Sequence, residues 1–233
     1  EWADGHATAA RSDLSWTIEK LMLDAPPPFA PSHTYDGTEQ TGYVASVWYD
    51  YDGVNIATNG KVYSVTAKLK DEVNTGWKPG VDPALTWEIK PQTVTTITPK
   101  AGLEFTGEEQ SAYDPTEEEL RKFSLEGEKA TDAGDYTLTA TLLNPEGFKN
   151  YVWSNGKSTP LSLDWSIAPL VVPWPPEGAE HEYTYQKGVT NSPVPESPWY
   201  TIVAGVGSSE TAGGFHCEVA LNDNDGGKTN EKW

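Results

Sequence analysis

The sequence predicts an all-β protein made of small β-sandwich units in tandem, arranged as a rod. Three observations carry this reading. Leu14-Ser15-Trp16-Thr17-Ile18, Leu85-Thr86-Trp87-Glu88-Ile89 and Leu163-Asp164-Trp165-Ser166-Ile167 are versions of one pattern. Each puts Leu, Trp and Ile on one side and small or charged residues on the other, as a half-buried strand requires. Their tryptophans stand at positions 16, 87 and 165, a near-constant interval that marks a repeat. Composition agrees: 21 Gly and 18 Pro, with abundant β-branched and aromatic residues, favour strands joined by turns.

Four segments follow in order. Residues 1–20 hold only the closing strand of a repeat, either donated to a neighbour or left from a preceding unit. Residues 21–91 form the first complete unit. Its Tyr35-Asp36-Gly37-Thr38 stretch is a turn signal, Val62–Leu69 an alternating strand and Leu85–Ile89 the closing strand. Residues 92–169 repeat the plan. Phe105-Thr106-Gly107-Glu108-Glu109-Gln110 stands where Tyr35-Asp36-Gly37-Thr38-Glu39-Gln40 stood, and Ala133–Leu142 matches the second strand. Within this unit Thr116 and Glu119 have the spacing of a capping box, the alternative being a solvated loop. Residues 170–233 begin a third unit that lacks its last strand. An upstream tryptophan precedes each closing strand: Trp2, Trp77 and Trp153. The joints Glu19-Lys20, Lys90-Pro91 and Ala168-Pro169 are short, which favours a stiff connection.

Composition also bounds the chemistry. The formal net charge is −19 and the 16 basic residues form no cluster, so a nucleic-acid partner is not expected. No apolar run reaches the roughly 20 residues of a membrane-spanning helix, so no membrane insertion is expected. The single cysteine, Cys217, lies on the apolar side of an alternating run and reads as a small packed group. His6, His33, His181 and His216 lack ligand spacing, and no nucleophile–base arrangement or phosphate-cradling loop appears. The chain therefore reads as a non-enzyme without a cofactor.

Taken in order, Tyr35-Asp36-Gly37-Thr38, Ala133–Ala140, Asn150-Tyr151-Val152-Trp153-Ser154-Asn155-Gly156 and Asp164-Trp165-Ser166-Ile167 resemble the bacterial immunoglobulin-like repeats of large surface proteins, of the MBG and YDG type. The resemblance implies tandem immunoglobulin-like sandwiches in an extracellular or cell-surface protein, serving as a stalk or adhesin. It implies no catalytic residues. The third unit departs most, since its Tyr-Asp-Gly turn is missing.

The two ends complement one another. Lys232-Trp233 followed by Glu1-Trp2-Ala3-Asp4-Gly5 lines up with the segment from Asn150 to Gly156, and the interval from Trp165 to the next Trp16 stays close to the other two. This predicts copies joined head to tail, as a longer covalent array or as separate chains in which one copy's N-terminal strand completes the previous copy's open unit. The alternative is an accidental boundary. The donated face is Leu14, Trp16 and Ile18. Its burial contributes roughly 5–9 kcal/mol. Lost translational and rotational freedom costs about 4–15 kcal/mol, so the main-chain ladder must supply the remainder.

The competing function is an adhesin or carbohydrate-binding module recognising a host glycan or protein. Its candidate patch is Trp48 with Tyr49 and Tyr51, because exposed aromatic rings stack on sugars. Asn222-Asp223-Asn224-Asp225-Gly226 and Asp50-Tyr51-Asp52-Gly53 resemble fragments of calcium loops, with Asp223 and Asp225 the candidate ligands. Neither has the bidentate Glu at the expected distance, so acidic hairpin turns are the favoured reading.

Overall fold

The computed structural model describes residues 15–173, 188, 190–191, 194, 197–205, 208–210, 212–214, 216–222 and 229–233. The regular secondary structure of the described chain is nearly all strand, with one short helix, Glu117–Leu120, among the strands. It divides into two compact units. The first holds residues up to Gln92 together with Pro145–Asn150; the second holds Thr93–Asn144 and Tyr151–Trp233.

The first unit is organised on a four-stranded sheet in the order His33–Thr34, Ala84–Lys90, Val62–Leu69, Tyr49–Gly53. His33–Thr34 runs parallel to the closing strand Ala84–Lys90, and the other pairs are antiparallel. The period-2 pattern has the expected effect. Trp87 and Ile89 are buried, whereas Glu88 is exposed. Trp87 stacks on Tyr63 at 5.0 Å, and its indole N–H donates to the Val54 carbonyl at 2.7 Å. The small core comprises Tyr43, Val65, Trp87 and Ile89. Gly42 belongs to it for a steric reason: a Cβ there would lie 2.6 Å from the Trp87 ring.

The second unit contains a sheet of the same order: Leu103–Glu104, Leu161–Ala168, Gly134–Leu142, Phe123–Glu126. Again the first pair is parallel and the rest antiparallel. The registers coincide. Tyr63 faces Trp87 and Val65 faces Leu85, as Tyr136 faces Trp165 and Leu138 faces Leu163. The preceding turns coincide as well. Gly37 and Gly107 have φ of +81° and +82°. The side-chain amides of Gln40 and Gln110 donate to the Thr34 and Glu104 carbonyls, each at 2.8 Å. This core is larger and better filled, with Phe105, Phe123, Leu138, Ala140, Trp153, Trp165 and Ile167 all buried. The capping box at Thr116 forms in full, so the segment is a helical turn rather than a plain loop.

Also in the second unit, Tyr200–Gly205 pairs antiparallel with Cys217–Leu221, with an irregularity between Ile202 and Ala204. Gly205 faces Cys217 as Gly53 faces Val65. Among the described residues this third sheet holds two strands. Cys217 is half-buried on it.

Candidate functional site

One motif takes two opposite environments. Trp87 and Trp165 are 7% and 5% exposed, and Ile89 and Ile167 are each 1% exposed. Trp16 and Ile18, in the same pattern, are 80% and 77% exposed. Ser15–Lys20 form no strand, and every residue in the segment is exposed. The cause is the lack of a partner. The closing strands at 84–90 and 161–168 each lie between a long antiparallel strand and a short parallel one, and among the described residues Ser15–Lys20 has neither beside it. Leu14 lies outside the described residues.

The segment is nevertheless tied to the fold at the same joint as its counterparts. Ile18, Ile89 and Ile167 each stand three residues before an opening strand, at Leu21–Leu23, Gln92–Val94 and Leu170–Val171. The first residue of each opening strand donates its N–H to the carbonyl of an asparagine: Leu21 to Asn74 at 2.9 Å, Gln92 to Asn150 at 2.8 Å, and Leu170 to Asn230 at 2.9 Å. A short strand follows each asparagine and pairs with the opening strand: Thr75–Trp77, Tyr151–Trp153 and Glu231–Lys232.

Two of these asparagines act as clamps. In the first unit Asn150 is 2% exposed. Its Oδ1 accepts the Gly60 N–H at 2.7 Å, and its Nδ2 donates to Asn59 Oδ1 at 2.9 Å. Gly60 is required here, because a Cβ would collide with the Lys149 carbonyl. In the second unit Asn230, also 2% exposed, accepts the Ala133 N–H at 2.6 Å and donates to Asp132 Oδ1 at 2.9 Å. Asn74 is exposed. Its Nδ2 donates to Asp71 Oδ2 at 2.7 Å, and with the Asn74 N–H it holds the Asp71 carboxyl below its ordinary pKa.

The sequence reading gave none of the three asparagines a role and named Asn150 only as part of a resembling segment. Their shared signal is Asn-x-x-Trp, at Asn74–Trp77, Asn150–Trp153 and Asn230–Trp233. This register corrects the expected alignment of the two ends. Trp233, not Trp2, occupies the place of Trp77 and Trp153, a displacement of two residues. Aromatic spacing alone misled, since two tryptophans, Trp233 and Trp2, lie within a few positions of the proposed junction. Trp2 is outside the described residues.

The candidate ligand patch separates into unlike parts. Tyr49 is buried, in ring contact with Tyr51 at 5.7 Å and Trp77 at 5.6 Å. Tyr51 is half-buried and donates its hydroxyl to the Val44 carbonyl at 2.8 Å; burial, with Tyr49 beside it, raises its pKa. Trp48 remains 47% exposed beside the exposed Val47. Asp50 and Asp52 stand on a strand rather than in a turn, paired with Lys70 at 3.1 Å and Lys68 at 2.6 Å. The Lys68 ammonium lowers the Asp52 pKa. Asp223 and Asp225 lie outside the described residues, and among the described residues no cluster of His, Cys, Asp and Glu is arranged to hold a metal. His33 is buried edge-on to Trp87, consistent with a packed histidine. Among the described residues no helix is long and apolar enough to cross a membrane.

The chain matches no protein-family model, no curated protein and no solved structure.

Proposed function

We propose that the chain is a structural protein: tandem immunoglobulin-like β-sandwich repeats forming a rod, extended head to tail by β-strand addition as an extracellular stalk or filament. The observation that carries this reading is the contrast in burial within one motif. Exposure by itself is common to any tail. A segment that repeats the Leu-x-Trp-x-Ile pattern, meets the fold at the same joint, and leaves a Trp and an Ile in water where their counterparts are core reads as a strand awaiting its sheet. The acceptor proposed is the sheet of Tyr200–Gly205 and Cys217–Leu221, which among the described residues holds two strands where the other two sheets continue into a closing strand. A sheet edge and a strand of complementary pattern are the two halves of β-augmentation, and a contact of that kind does not close on itself. The extracellular setting rests on the resemblance to bacterial surface repeats.

Sedimentation velocity on the 233-residue chain tests the proposal. Concentration-dependent association is expected. It should strengthen with added salt, because the charge of −19 makes copies repel. Excess peptide of residues 1–20, or the double substitution Trp16→Lys with Ile18→Lys, should cap or abolish it. A monomer at all concentrations, or assemblies indifferent to both treatments, would overturn the proposal.

The adhesin reading keeps one supporting feature, the exposed Trp48. A glycan array probed with the native chain and with Trp48→Ala tests it, since recognition by that ring must be lost in the variant.

A further inference from the structure

We infer that the Asn59–Gly60 and Asn155–Gly156 peptides are two deamidation sites that the fold sets to different rates: Asn155 converts spontaneously to aspartate and isoaspartate, while Asn150 holds Asn59 intact.

The two sites have nearly the same local sequence, Thr58-Asn59-Gly60-Lys61 and Ser154-Asn155-Gly156-Lys157, and no other Asn of the chain is followed by Gly. Their intrinsic reactivity is therefore close to equal. The chemistry consumes only water. The Gly backbone nitrogen gives up its proton to hydroxide and attacks Cγ of the Asn side chain. The new C–N bond closes a five-membered succinimide, and the side-chain nitrogen leaves as ammonia. Water then opens the ring at one carbonyl or the other, giving aspartate or isoaspartate. Glycine permits the close approach because it carries no Cβ. The remaining difference is whether the peptide can turn its nitrogen onto the side chain.

At Asn59 the fold prevents that turn. The Gly60 N–H donates to Asn150 Oδ1 at 2.7 Å, and the Asn59 carbonyl accepts from the Tyr63 hydroxyl at 2.6 Å. Both polar groups of the reacting peptide are thus held. The side chain under attack is held as well, since Asn59 Oδ1 accepts from Asn150 Nδ2 at 2.9 Å. Gly60 and Asn150 are buried, so attack has to wait for a local opening of the clamp. At Asn155 the corresponding bonds lie within one short turn. The Gly156 N–H donates to the Trp153 carbonyl at 2.8 Å, and Asn155 Oδ1 accepts from the Lys157 N–H at 2.9 Å. Asn155 and Gly156 are exposed, so this turn opens directly to water.

The second unit shows which product the clamp accommodates. Gly60 and Ala133 each stand five residues before the residue that faces the leucine of the closing strand: Val65 faces Leu85, and Leu138 faces Leu163. Asp132 therefore occupies the place of Asn59, and it accepts from Asn230 Nδ2 at 2.9 Å. Aspartate at position 59 fits such a clamp. Isoaspartate does not, because it lengthens the main chain by one carbon.

Peptide mapping by mass spectrometry, after incubation of the native chain at mildly alkaline pH, is the test; each conversion is read as a gain of one water less one ammonia. Asn155 should convert at least about tenfold faster than Asn59, and the two rates should converge in urea. Asn150→Ala strands the Gly60 donor and should speed conversion at Asn59 by roughly ten- to a hundredfold, with Asn155 unchanged. Asn150→Asp, which keeps an acceptor for the Gly60 N–H, should leave Asn59 slow. Equal rates at the two sites in the native chain overturn the inference, as does an Asn59 rate that Asn150→Ala leaves unchanged. The comparison of native and urea-unfolded chain decides the matter even where Asn150→Ala fails to fold.

Discussion

Replacing Asn150 by alanine isolates one clamp from everything around it. The carboxamide is buried and makes two side-chain hydrogen bonds, from the Gly60 N–H at 2.7 Å and to Asn59 Oδ1 at 2.9 Å. The backbone carbonyl of residue 150, which receives the Gln92 N–H, is untouched by the substitution. The effects on the two partners are unequal. Asn59 keeps an acceptor that can turn to water, whereas the Gly60 donor is stranded under the Lys149 backbone. An unsatisfied buried donor costs about 1–3 kcal/mol. At about 1.4 kcal/mol per factor of ten, a loss of 2 kcal/mol corresponds to roughly a thirtyfold fall in protection against local opening. Hydrogen exchange resolved at the Gly60 amide is the direct assay. The Gly60 amide should lose protection by about that factor, while the amides of Gly134–Leu142 in the other unit keep theirs. Asn150→Asp is the control: an oxygen still accepts from Gly60, but a second oxygen then faces Asn59 Oδ1, so Gly60 stays protected while overall stability falls. Unchanged Gly60 exchange in Asn150→Ala would refute the clamp. A uniform loss over both units would refute its local character.

Other expectations follow from the same contacts. Gly42→Ala places a methyl 2.6 Å from the Trp87 ring and should destabilise the first unit by about 1–3 kcal/mol in urea titration followed by tryptophan emission. Trp165→Ala should cost about 3–5 kcal/mol, since it empties a buried site and removes the indole hydrogen bond to the Gly127 carbonyl. Trp16→Ala should leave the unfolding of the dilute chain within about 0.5 kcal/mol of wild type, because that ring lies in water. Glu119 in the capping box has its pKa held below 4.5, first by the Thr116 backbone N–H and then by the hydroxyls of Tyr113 and Thr116. A depressed carboxylate pKa contributes stability above the unfolded value, and that contribution is lost as pH falls through the folded one. The helical turn at Glu117–Leu120 should therefore fray only below the ordinary glutamate range, as read by the chemical shifts of the Glu119 amide, and Glu119→Gln should abolish the acid transition.

The strand pattern was legible in the sequence where alternation and turn chemistry agreed. Val62–Leu69 and the two internal closing strands are the clearest cases, because a one-residue slip would turn Trp87 or Trp165 outward. The turns at Gly37 and Gly107 were legible for a related reason, since a glycine and a following glutamine recur at fixed offsets. The clamps were not legible. An asparagine on the surface of a loop and one buried in a joint look alike in a single copy, and only the registers show which residues lie five positions before the leucine's partner. Tyr49 and Tyr51 misled in the opposite way. Tyrosine is equally suited to a sugar platform and to a packed edge with its hydroxyl satisfied, and here the neighbouring Trp77 and the Val44 carbonyl decide for packing. The acidic pair at Asp50 and Asp52 reads as a loop by composition, but it is held in a strand paired with Val62–Leu69, with Lys68 on that strand and Lys70 just past its end as ion-pair partners.

The placement of Pro145–Asn150 has a consequence for how the polypeptide matures. These six residues are encoded well inside the second pattern, yet they pack with the first. A fragment cut at the apparent boundary after residue 91 would be born with the Gly60 amide uncovered. During synthesis the earlier unit has to wait, nearly finished, until the ribosome has delivered more than fifty further residues and the loop that seals it. Spatial order and translational order are out of phase by one loop, so the two units are expected to reach their final state almost together rather than one after the other.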